Sequence, residues 1–379
     1  MKRGPLFGAI SLLIGTVFGA GILGMPYVIS KSGFLTGALL LLILSVAIVL
    51  LYLYVGEIVL RTKGNHQLTG YSGIYLGKPG KILMVISTLF VSTGAMTAYI
   101  IGVGESLSVL FNHAFSTFVF STIFFIIFSA LIYFGLKAVE ESEMLLNTVV
   151  ILIILSICIF AISKVNISNL ASFNLFKIFY PYGVILFALS GAVAIPEMRE
   201  ELSTKTRLLK KAILIGSIIP VVLYFLFTLI VIGVTGANTT EIATIGLGNL
   251  LGTKMLIFGN LFAILTMATS FLTIGLGLKE TYNYDFKINK NLAWLLAVSV
   301  PFLIFLIEKS FTKTIGIAGG VFIGLEAILI ILMFNKAKKL GKRIPEYEIK
   351  KSNLINIFLI IIFVLGAVYT ILNAFNIIK

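Results

Sequence analysis

The feature that decides the fold is the stretch Gly15-Thr16-Val17-Phe18-Gly19-Ala20-Gly21-Ile22-Leu23-Gly24-Met25-Pro26, in which small residues and a proline interrupt an apolar run. The run extends over positions 6–30 and is long enough to cross a bilayer core of about 30 Å. Lipid cannot hydrogen-bond a freed backbone, so a helix broken at this depth needs protein or a water-filled cavity around it. We therefore predict a discontinuous membrane helix beside a binding site.

The composition indicates that lipid surrounds most of the chain. Hydrophobic residues make up 59% of it and charged residues 12%, whereas soluble domains have about 25% charged residues. The apolar runs also lack the alternation of a transmembrane β-barrel. We predict an all-α polytopic membrane protein with a single transport domain over 1–379. Its eleven transmembrane helices are expected at 6–30, 35–60, 83–111, 116–135, 145–163, 178–198, 210–235, 255–278, 292–308, 314–334 and 354–376.

The net charge of +14 could indicate a nucleic-acid partner, but its distribution along the chain indicates topology instead. A cytoplasmic N-terminus puts 22 of the 29 basic residues on the cytoplasmic side, in agreement with the positive-inside rule. We predict a multi-pass protein of the cell membrane with its C-terminus outside, and neither a nucleic-acid partner nor an obligate protein partner. Membrane lipid is the expected surrounding, and the basic segment 336–343 could hold anionic lipid. The basic residues expected outside are Lys31, Lys164, Lys177, Lys254, Lys309, Lys313 and Lys379.

Short motifs recur at a nearly constant offset and indicate an internal repeat. Gly21 precedes Pro26 by five residues, and Gly191 precedes Pro196 by the same distance, 170 residues further on. Spans three and eight share a second motif at almost the same offset. Because each copy has an odd number of spans, the second copy must be inverted in the membrane. We predict repeats at about 6–163 and 178–334, with broken helices at spans one and six, and an extra helix at 354–376.

The two predicted breaks free opposite kinds of backbone group. The half-helix that begins after Gly19–Gly21 points an N-terminus into the membrane centre, where it suits an anion. The half-helix that ends near Leu189–Gly191 frees carbonyls, which suit an ammonium group or a metal cation. Together they describe a site for a zwitterion. The alternative is that these small residues serve close helix packing.

The side chains expected around a ligand at the breaks carry no charge. This favours a neutral amino acid, with aromatic and large apolar ones among the candidates, over dibasic or acidic ones. Each side chain could equally serve helix packing, since only one face of a helix lines a cavity. The candidates are Thr97, Tyr99, Phe187, Ser190 and Ala192.

The first span resembles the Gly-Thr-x-x-Gly-Ala-Gly-Ile-x-x-x-Pro signature of amino acid permeases in the amino acid–polyamine–organocation superfamily. The eighth span, at 268–278, resembles the bacterial aromatic and hydroxy amino acid permeases, and the sixth, ending in Ile195-Pro196-Glu197, the amino acid/auxin permease branch. The resemblance implies a LeuT-type 5+5 inverted repeat that works by alternating access. It also implies that backbone at Gly19, Ala20 and Gly21 binds the substrate carboxylate, and that carbonyls near Ala188, Leu189, Ser190 and Gly191 bind its amino group.

The resemblance further implies a sodium-like site between the first and eighth helices. Its ligands would be the carbonyls of Gly15 and Phe18 and the hydroxyls of Thr266, Thr269 and Ser270, and oxygen ligands suit a hard cation. Ordinary hydrogen bonding between helices is the alternative for these hydroxyls.

A proton is the other candidate for coupling. Glu326 lies near the centre of span ten, where a charge costs about 2.5–3.5 kcal/mol on insertion scales. It is therefore either a proton site or a buried structural hydrogen bond. Some relatives use a lysine of the fifth span in place of sodium, but positions 145–163 contain no lysine.

These features predict a secondary active transporter that imports a neutral amino acid by symport with sodium or protons, without a cofactor. The chain has no phosphate-binding Gly-x-x-x-x-Gly-Lys-Ser/Thr motif, which disfavours ATP-driven pumping. A lone Cys158 and two loop histidines do not supply the convergent groups of an enzyme or a metal cluster. Two alternatives stay open: a membrane sensor that binds an amino acid without transport, and an exchanger for a related organic amine.

Overall fold

The computed structural model describes residues 4–135 and 143–378, without the side chains of residues 143–147 and Asp285. Lys2, Arg3, Lys137 and Lys379 of the predicted charge distribution therefore lie outside the described residues. The described residues are mostly helical and form no β-strand. Its α-helices are α1 Pro5–Val17, α2 Gly21–Ser32, α3 Phe34–Arg61, α4 Leu68–Leu110, α5 Thr117–Phe134, α6 Glu143–Ala161, α7 Tyr182–Ala188, α8 Ala194–Leu202, α9 Leu209–Thr235, α10 Ala243–Leu251, α11 Thr253–Glu280, α12 Lys290–Ile307, α13 Phe311–Ile317, α14 Gly324–Leu340 and α15 Asn353–Ala374.

Eight helical segments of the described residues are long and apolar enough to cross a membrane, and the bent pair α1 and α2 makes a ninth. The predicted fifth span corresponds to α6, whose fully described part is too short to count among these segments. The predicted sixth span corresponds to the two short helices α7 and α8. The all-α polytopic architecture is thus confirmed. The count of eleven spans and the repeat boundaries stay predictions.

Spans one and six are both discontinuous, as the sequence predicts. The axes of α1 and α2 differ by 53°, and the backbone of Phe18 is extended between them (φ −72°, ψ 99°). In span six, α7 ends at Ala188 and α8 begins at Ala194. The two breaks touch, because a Cβ placed on Gly191 would lie 2.6 Å from the Val17 side chain.

The tenth span also departs from a regular α-helix. Helix α13 continues through a π-helical turn, Ala318–Ile323, into α14. Glycines allow this turn to approach its neighbours closely, since a Cβ on Gly319 would lie 2.7 Å from the Phe187 amide nitrogen. Such π-turns recur at functional sites, and this one ends three residues before Glu326.

The third span begins earlier than predicted. The sequence suggests a start near position 83, whereas α4 begins at Leu68 and bends at Gly77, which has a positive φ of 75°. Glycine adopts this backbone conformation at little cost. The arm before Gly77 was missed because Lys78 and Pro79 interrupt its apolar pattern.

A buried ion cluster joins the ends of α3 and α14. The carboxylate of Glu57 is fully buried and accepts from Arg61 at 2.7 Å and from Lys338 at 2.6 Å. The Ile349 amide donates to its other oxygen at 2.6 Å, and Glu348 pairs with Arg61 at 2.7 Å. The cluster fixes the segment after α14 against α3 at the end of the bundle where the sequence places the cytoplasm.

Candidate functional site

A cavity of about 400 Å³ lies where the two broken helices meet. Spans one and six line it through Gly19 and Ser190, α4 through Tyr99, and α11 and α14 through Ser270 and Glu326. The volume falls within the range of small-molecule sites, about 300–1,000 Å³. The cavity thus unites both breaks, span eight and the carboxylate of span ten, which are far apart in the sequence.

Most of the predicted site residues line this cavity, but six do not. The cation-site candidates Gly15, Phe18, Thr266, Thr269 and Ser270 all border it, with the substrate-site candidates Gly19, Tyr99, Ser190, Gly191 and Ala192 and the proton-site candidate Glu326. The substrate-site candidates outside its lining are Ala20, Gly21, Thr97, Phe187, Ala188 and Leu189.

Two of those six show why they lie apart from the cavity. Gly21 packs against span six, since a Cβ on it would lie 2.6 Å from Ala188 Cα and 2.7 Å from Ala188 Cβ. Thr97 is fully buried and donates to the carbonyls of Thr93 at 2.9 Å and of Pro301 at 3.1 Å. The structure therefore places Gly21 in the contact between the half-helices and Thr97 against α12.

Two tyrosines that the sequence analysis did not single out bind carbonyls at the breaks. The Tyr52 hydroxyl donates to the Leu189 carbonyl at 2.5 Å, and the Tyr224 hydroxyl donates to the Val17 carbonyl at 2.6 Å. These two hydrogen bonds satisfy backbone carbonyls at the breaks, where the regular helical hydrogen bonding ends. A carbonyl oxygen has two lone pairs, so Leu189 can still accept from a ligand.

The hydroxyls of Thr266 and Thr269 on α11 border the cavity together with the first break, and they have unused hydrogen-bonding capacity. The Thr266 hydroxyl is buried and has no hydrogen-bond partner. The Thr269 hydroxyl donates to the Leu265 carbonyl at 2.9 Å, which leaves its lone pairs available. An orphaned buried hydroxyl beside free lone pairs fits a hard cation such as sodium. The described residues contain no group of His, Cys, Asp or Glu that could hold another metal.

Of the described residues that line the cavity, Glu326 is the charged one. Its side chain is 8% exposed and has no hydrogen-bond or ion-pair partner among the described residues. Among the described residues, the lining contains no Lys, Arg or His. A carboxyl group that borders a cavity within the membrane without a partner is a candidate site for a proton.

The cavity extends toward the side that carries α1 and the buried ion cluster. Thr16 and Thr273 are exposed at its margin, as is Val193. Thr16 belongs to the first half of span one, and Thr273 lies near the end of α11. These two lining residues therefore lie on the side of the breaks where the sequence places the cytoplasm.

The opposite side is closed by tight packing of α2 against α13. A Cβ on Gly24 would lie 3.0 Å from Ile315 and 3.1 Å from Phe311. Glu241, just before α10, accepts from the Thr312 amide at 2.9 Å and from the Ser310 hydroxyl at 3.0 Å. A carboxylate at a helix N-terminus is stabilising, so Glu241 fastens the segment before α10 to α13.

Glu308, between α12 and α13, provides a second carboxylate near the start of α13. Burial alone would raise the pKa of Glu308, yet the Ser310 amide and the Lys313 ammonium hold that pKa below its usual range. Glu308 is therefore ionised at neutral pH and pairs with Lys313 at 3.0 Å.

Comparison with known proteins agrees with this geometry. The model of the tryptophan/tyrosine permease family matches residues 2–371. Tyrosine-specific transport system 1 of Haemophilus influenzae is 27% identical over 96% of this chain and 95% of its own length. Glutamine transporter 2 of Aliivibrio fischeri is 24% identical over 88% of this chain and 89% of its own length.

A solved structure shows the same fold. The crystal structure of MhsT in complex with L-phenylalanine superposes with a TM-score of 0.72, covering 95% of this chain and 98% of MhsT at 16% identity. The predicted LeuT-type fold with discontinuous helices one and six is therefore confirmed. Since the family model spans nearly the whole sequence, the chain belongs to the tryptophan/tyrosine permease family.

Proposed function

We propose that this multi-pass membrane protein is a secondary active transporter that imports a neutral, preferably aromatic, amino acid by cation-coupled symport through alternating access. The observation that carries the proposal is the cavity at the meeting point of two broken helices, which leads to one side of the bundle and is closed at the other. Membership in a permease family agrees with a transporter and not an enzyme.

The composition of the cavity supports a neutral substrate. Its aromatic side chains are Phe18, Tyr99 and Phe262, and its polar side chains other than Glu326 are hydroxyls. The described residues of the lining include no basic side chain that could pair with a second carboxylate, which disfavours an acidic amino acid. Relatives named for tyrosine and for glutamine make these two the first substrates to compare.

Sodium and protons each have a candidate site. The orphaned hydroxyl of Thr266 beside Thr269 supports sodium, with Gly15, Phe18 and Ser270 as further predicted ligands. The unpartnered Glu326 supports a proton. Neither proposal requires a cofactor.

The orientation and the wider relationships are also proposals. With the N-terminus cytoplasmic, the cavity is inward-facing and the C-terminus lies outside. The charge distribution supports this arrangement. Membership in the amino acid–polyamine–organocation superfamily, with the auxin-branch likeness at Ile195-Pro196-Glu197, belongs to the same proposal, as does anionic lipid at segment 336–343.

Binding measurements on the purified protein test the substrate assignment. Tritiated L-tyrosine should bind and be displaced by phenylalanine and tryptophan more strongly than by arginine or glutamate. Glutamine is the informative competitor. If glutamine displaced the label and the aromatic amino acids did not, glutamine would replace them as the proposed substrate. Counterflow in proteoliposomes separates the alternatives: a sensor binds without any flux, and an exchanger moves label only against internal substrate.

A further inference from the structure

A second cavity, of about 250 Å³, lies at the end of the bundle opposite to the buried ion cluster. It is bordered by α2, the start of α7, Glu241, the first turns of α13 and the end of α15, and we call it the Glu241 pocket. Among the described residues, it shares no lining residue with the cavity between the broken helices, the central cavity. Along span one, Gly24 and its tight contact with Ile315 lie between Gly19 of the central cavity and Tyr27 of the Glu241 pocket. The two cavities are therefore separate.

The carboxylate of Glu241 can accept a further ligand. Its two donors, the Ser310 hydroxyl at 3.0 Å and the Thr312 amide at 2.9 Å, are both neutral. Among the described residues, no Lys, Arg or His forms an ion pair with it. Lys313 also borders the pocket, but its ammonium pairs with Glu308 at 3.0 Å. A carboxylate has about four lone-pair sites, so Glu241 retains both free lone pairs and an unbalanced negative charge.

Three tyrosines supply aromatic walls to the same pocket. Tyr27 lies on α2, Tyr180 just before α7, and Tyr369 on α15. Their hydroxyls have no hydrogen-bond partner among the described residues. The Tyr27 ring already holds one cation, the Lys31 ammonium, at 5.2 Å from its centroid. Aromatic faces attract ammonium groups, and several rings bordering one small cavity are typical of sites for organic ammonium ligands.

The chemistry of the pocket favours an organic ammonium group over a metal cation. Ca²⁺ takes about six to eight oxygen ligands, several of them from carboxylates, whereas Glu241 is the carboxylate among the described lining residues. An ammonium group has three donors, which the free lone pairs of Glu241 and the tyrosine oxygens can accept. The small volume suits the amine end of a ligand, because sites for drug-sized molecules have about 300–1,000 Å³.

We propose that the Glu241 pocket is a second ligand site, separate from the central cavity, which binds the ammonium group of an organic amine or an amino acid. Glu241 binds the ammonium, and the tyrosine rings supply the walls of the site. The same carboxylate holds α13 through Ser310 and Thr312. A ligand in this pocket therefore binds directly at the contact that closes this side of the bundle.

The test is protection of a single thiol in the full-length protein in detergent. Asn373 borders the pocket, and its side chain has no hydrogen-bond partner among the described residues, so Asn373→Cys in a Cys158→Ser background places one thiol there. Tyramine should slow its reaction with N-ethylmaleimide by about tenfold at ten times the dissociation constant, since about a tenth of the sites then stay free. N-acetyltyramine, which lacks the charge, should not slow it. Protection by L-tyrosine as well would assign the site to amino acids, and protection by tyramine alone to free amines.

Variants locate the protected site. Glu241→Gln keeps the size of the side chain but removes its charge, so the tyramine concentration for half protection should rise by at least about tenfold. Tyr369→Leu leaves the contact with α13 intact and should raise it by about two- to fivefold through the loss of one ring. Glu326→Gln is the matched control, because it makes the same change in the central cavity and should leave the protection unchanged. A thiol at Ala114→Cys, exposed between α4 and α5 and away from the pocket, should not respond to tyramine.

Several results would overturn the inference. Equal protection by N-acetyltyramine would exclude recognition of the charge, and full protection in Glu241→Gln would exclude the carboxylate as its partner. Loss of protection in Glu326→Gln would place the amine in the central cavity, and protection by calcium but not by tyramine would indicate a metal site. No protection by tyramine at any concentration would exclude the site altogether. Amino acid flux is not measured in this test, so its failure would leave the proposed transport function standing.

Discussion

Replacing Gly21 by alanine should separate the two half-helices at the centre of the site. The added Cβ would lie 2.6 Å from Ala188 Cα, whereas ordinary van der Waals contact begins near 3.4 Å. Backbone atoms cannot rotate away, so α2 and α7 must move apart by about 0.8 Å. Overpacking of this kind costs about 1–3 kcal/mol, and a misplacement of about 1 Å can cost 10²-fold at a site that depends on geometry.

We therefore expect Gly21→Ala to weaken tyrosine binding by about 10- to 100-fold, measured by displacement of tritiated L-tyrosine. The control is Gly277→Ala on α11, where an added Cβ meets nothing within 4 Å; it should bind like the wild type. Both variants should elute as monodisperse protein in detergent. If Gly21→Ala binds within twofold of the wild type, the contact between the half-helices does not shape the site.

Three further predictions follow from named contacts. Glu57→Gln should lower the free energy of unfolding by about 3–5 kcal/mol, because Arg61 and Lys338 lose their buried partner; a thermal midpoint equal to that of the wild type would contradict this. Thr266→Val should not lower thermal stability, since the buried hydroxyl has no partner to lose, but should abolish any sodium dependence of tyrosine binding. Glu241→Gln should weaken the closed side by about 1 kcal/mol, seen as faster thiol labelling of Tyr27→Cys in a Cys158→Ser background, and unaltered labelling would exclude this role.

The discontinuity of spans one and six could be predicted because local residues cause it. Gly19, Ala20 and Gly21 are small, and Gly191 and Pro196 repeat the pattern in span six. Lipid allows such breaks only at protein or water, so the sequence also located the cavity. Within each span these residues lie one or two helical turns apart, which is the range that sequence patterns report.

The orientation of single side chains was harder to predict. Thr97 and Tyr99 were both proposed for the cavity, yet residues two apart on an α-helix point about 200° apart. Tyr99 faces the cavity, and Thr97 faces Pro301 on the other side. Helical periodicity shows that only one of these two side chains can line the cavity. It does not show which of the two does so.

Tyr52 and Tyr224 could not be found from the sequence. Their partners Leu189 and Val17 lie 137 and 207 residues away in the chain, and a tyrosine within an apolar run carries no local signal of its acceptor. In the structure the protein itself supplies one donor to each break, which only the packing of α3 and α9 reveals.

The measurement that tests the central claim most directly is uptake of tritiated L-tyrosine into proteoliposomes under an imposed inward sodium gradient, an inward proton gradient, or none. We expect accumulation above the external concentration under one of the two cation gradients and simple equilibration without them, with Gly21→Ala liposomes strongly impaired. If no amino acid accumulates or exchanges under any gradient, the cavity between the broken helices is not a transport site.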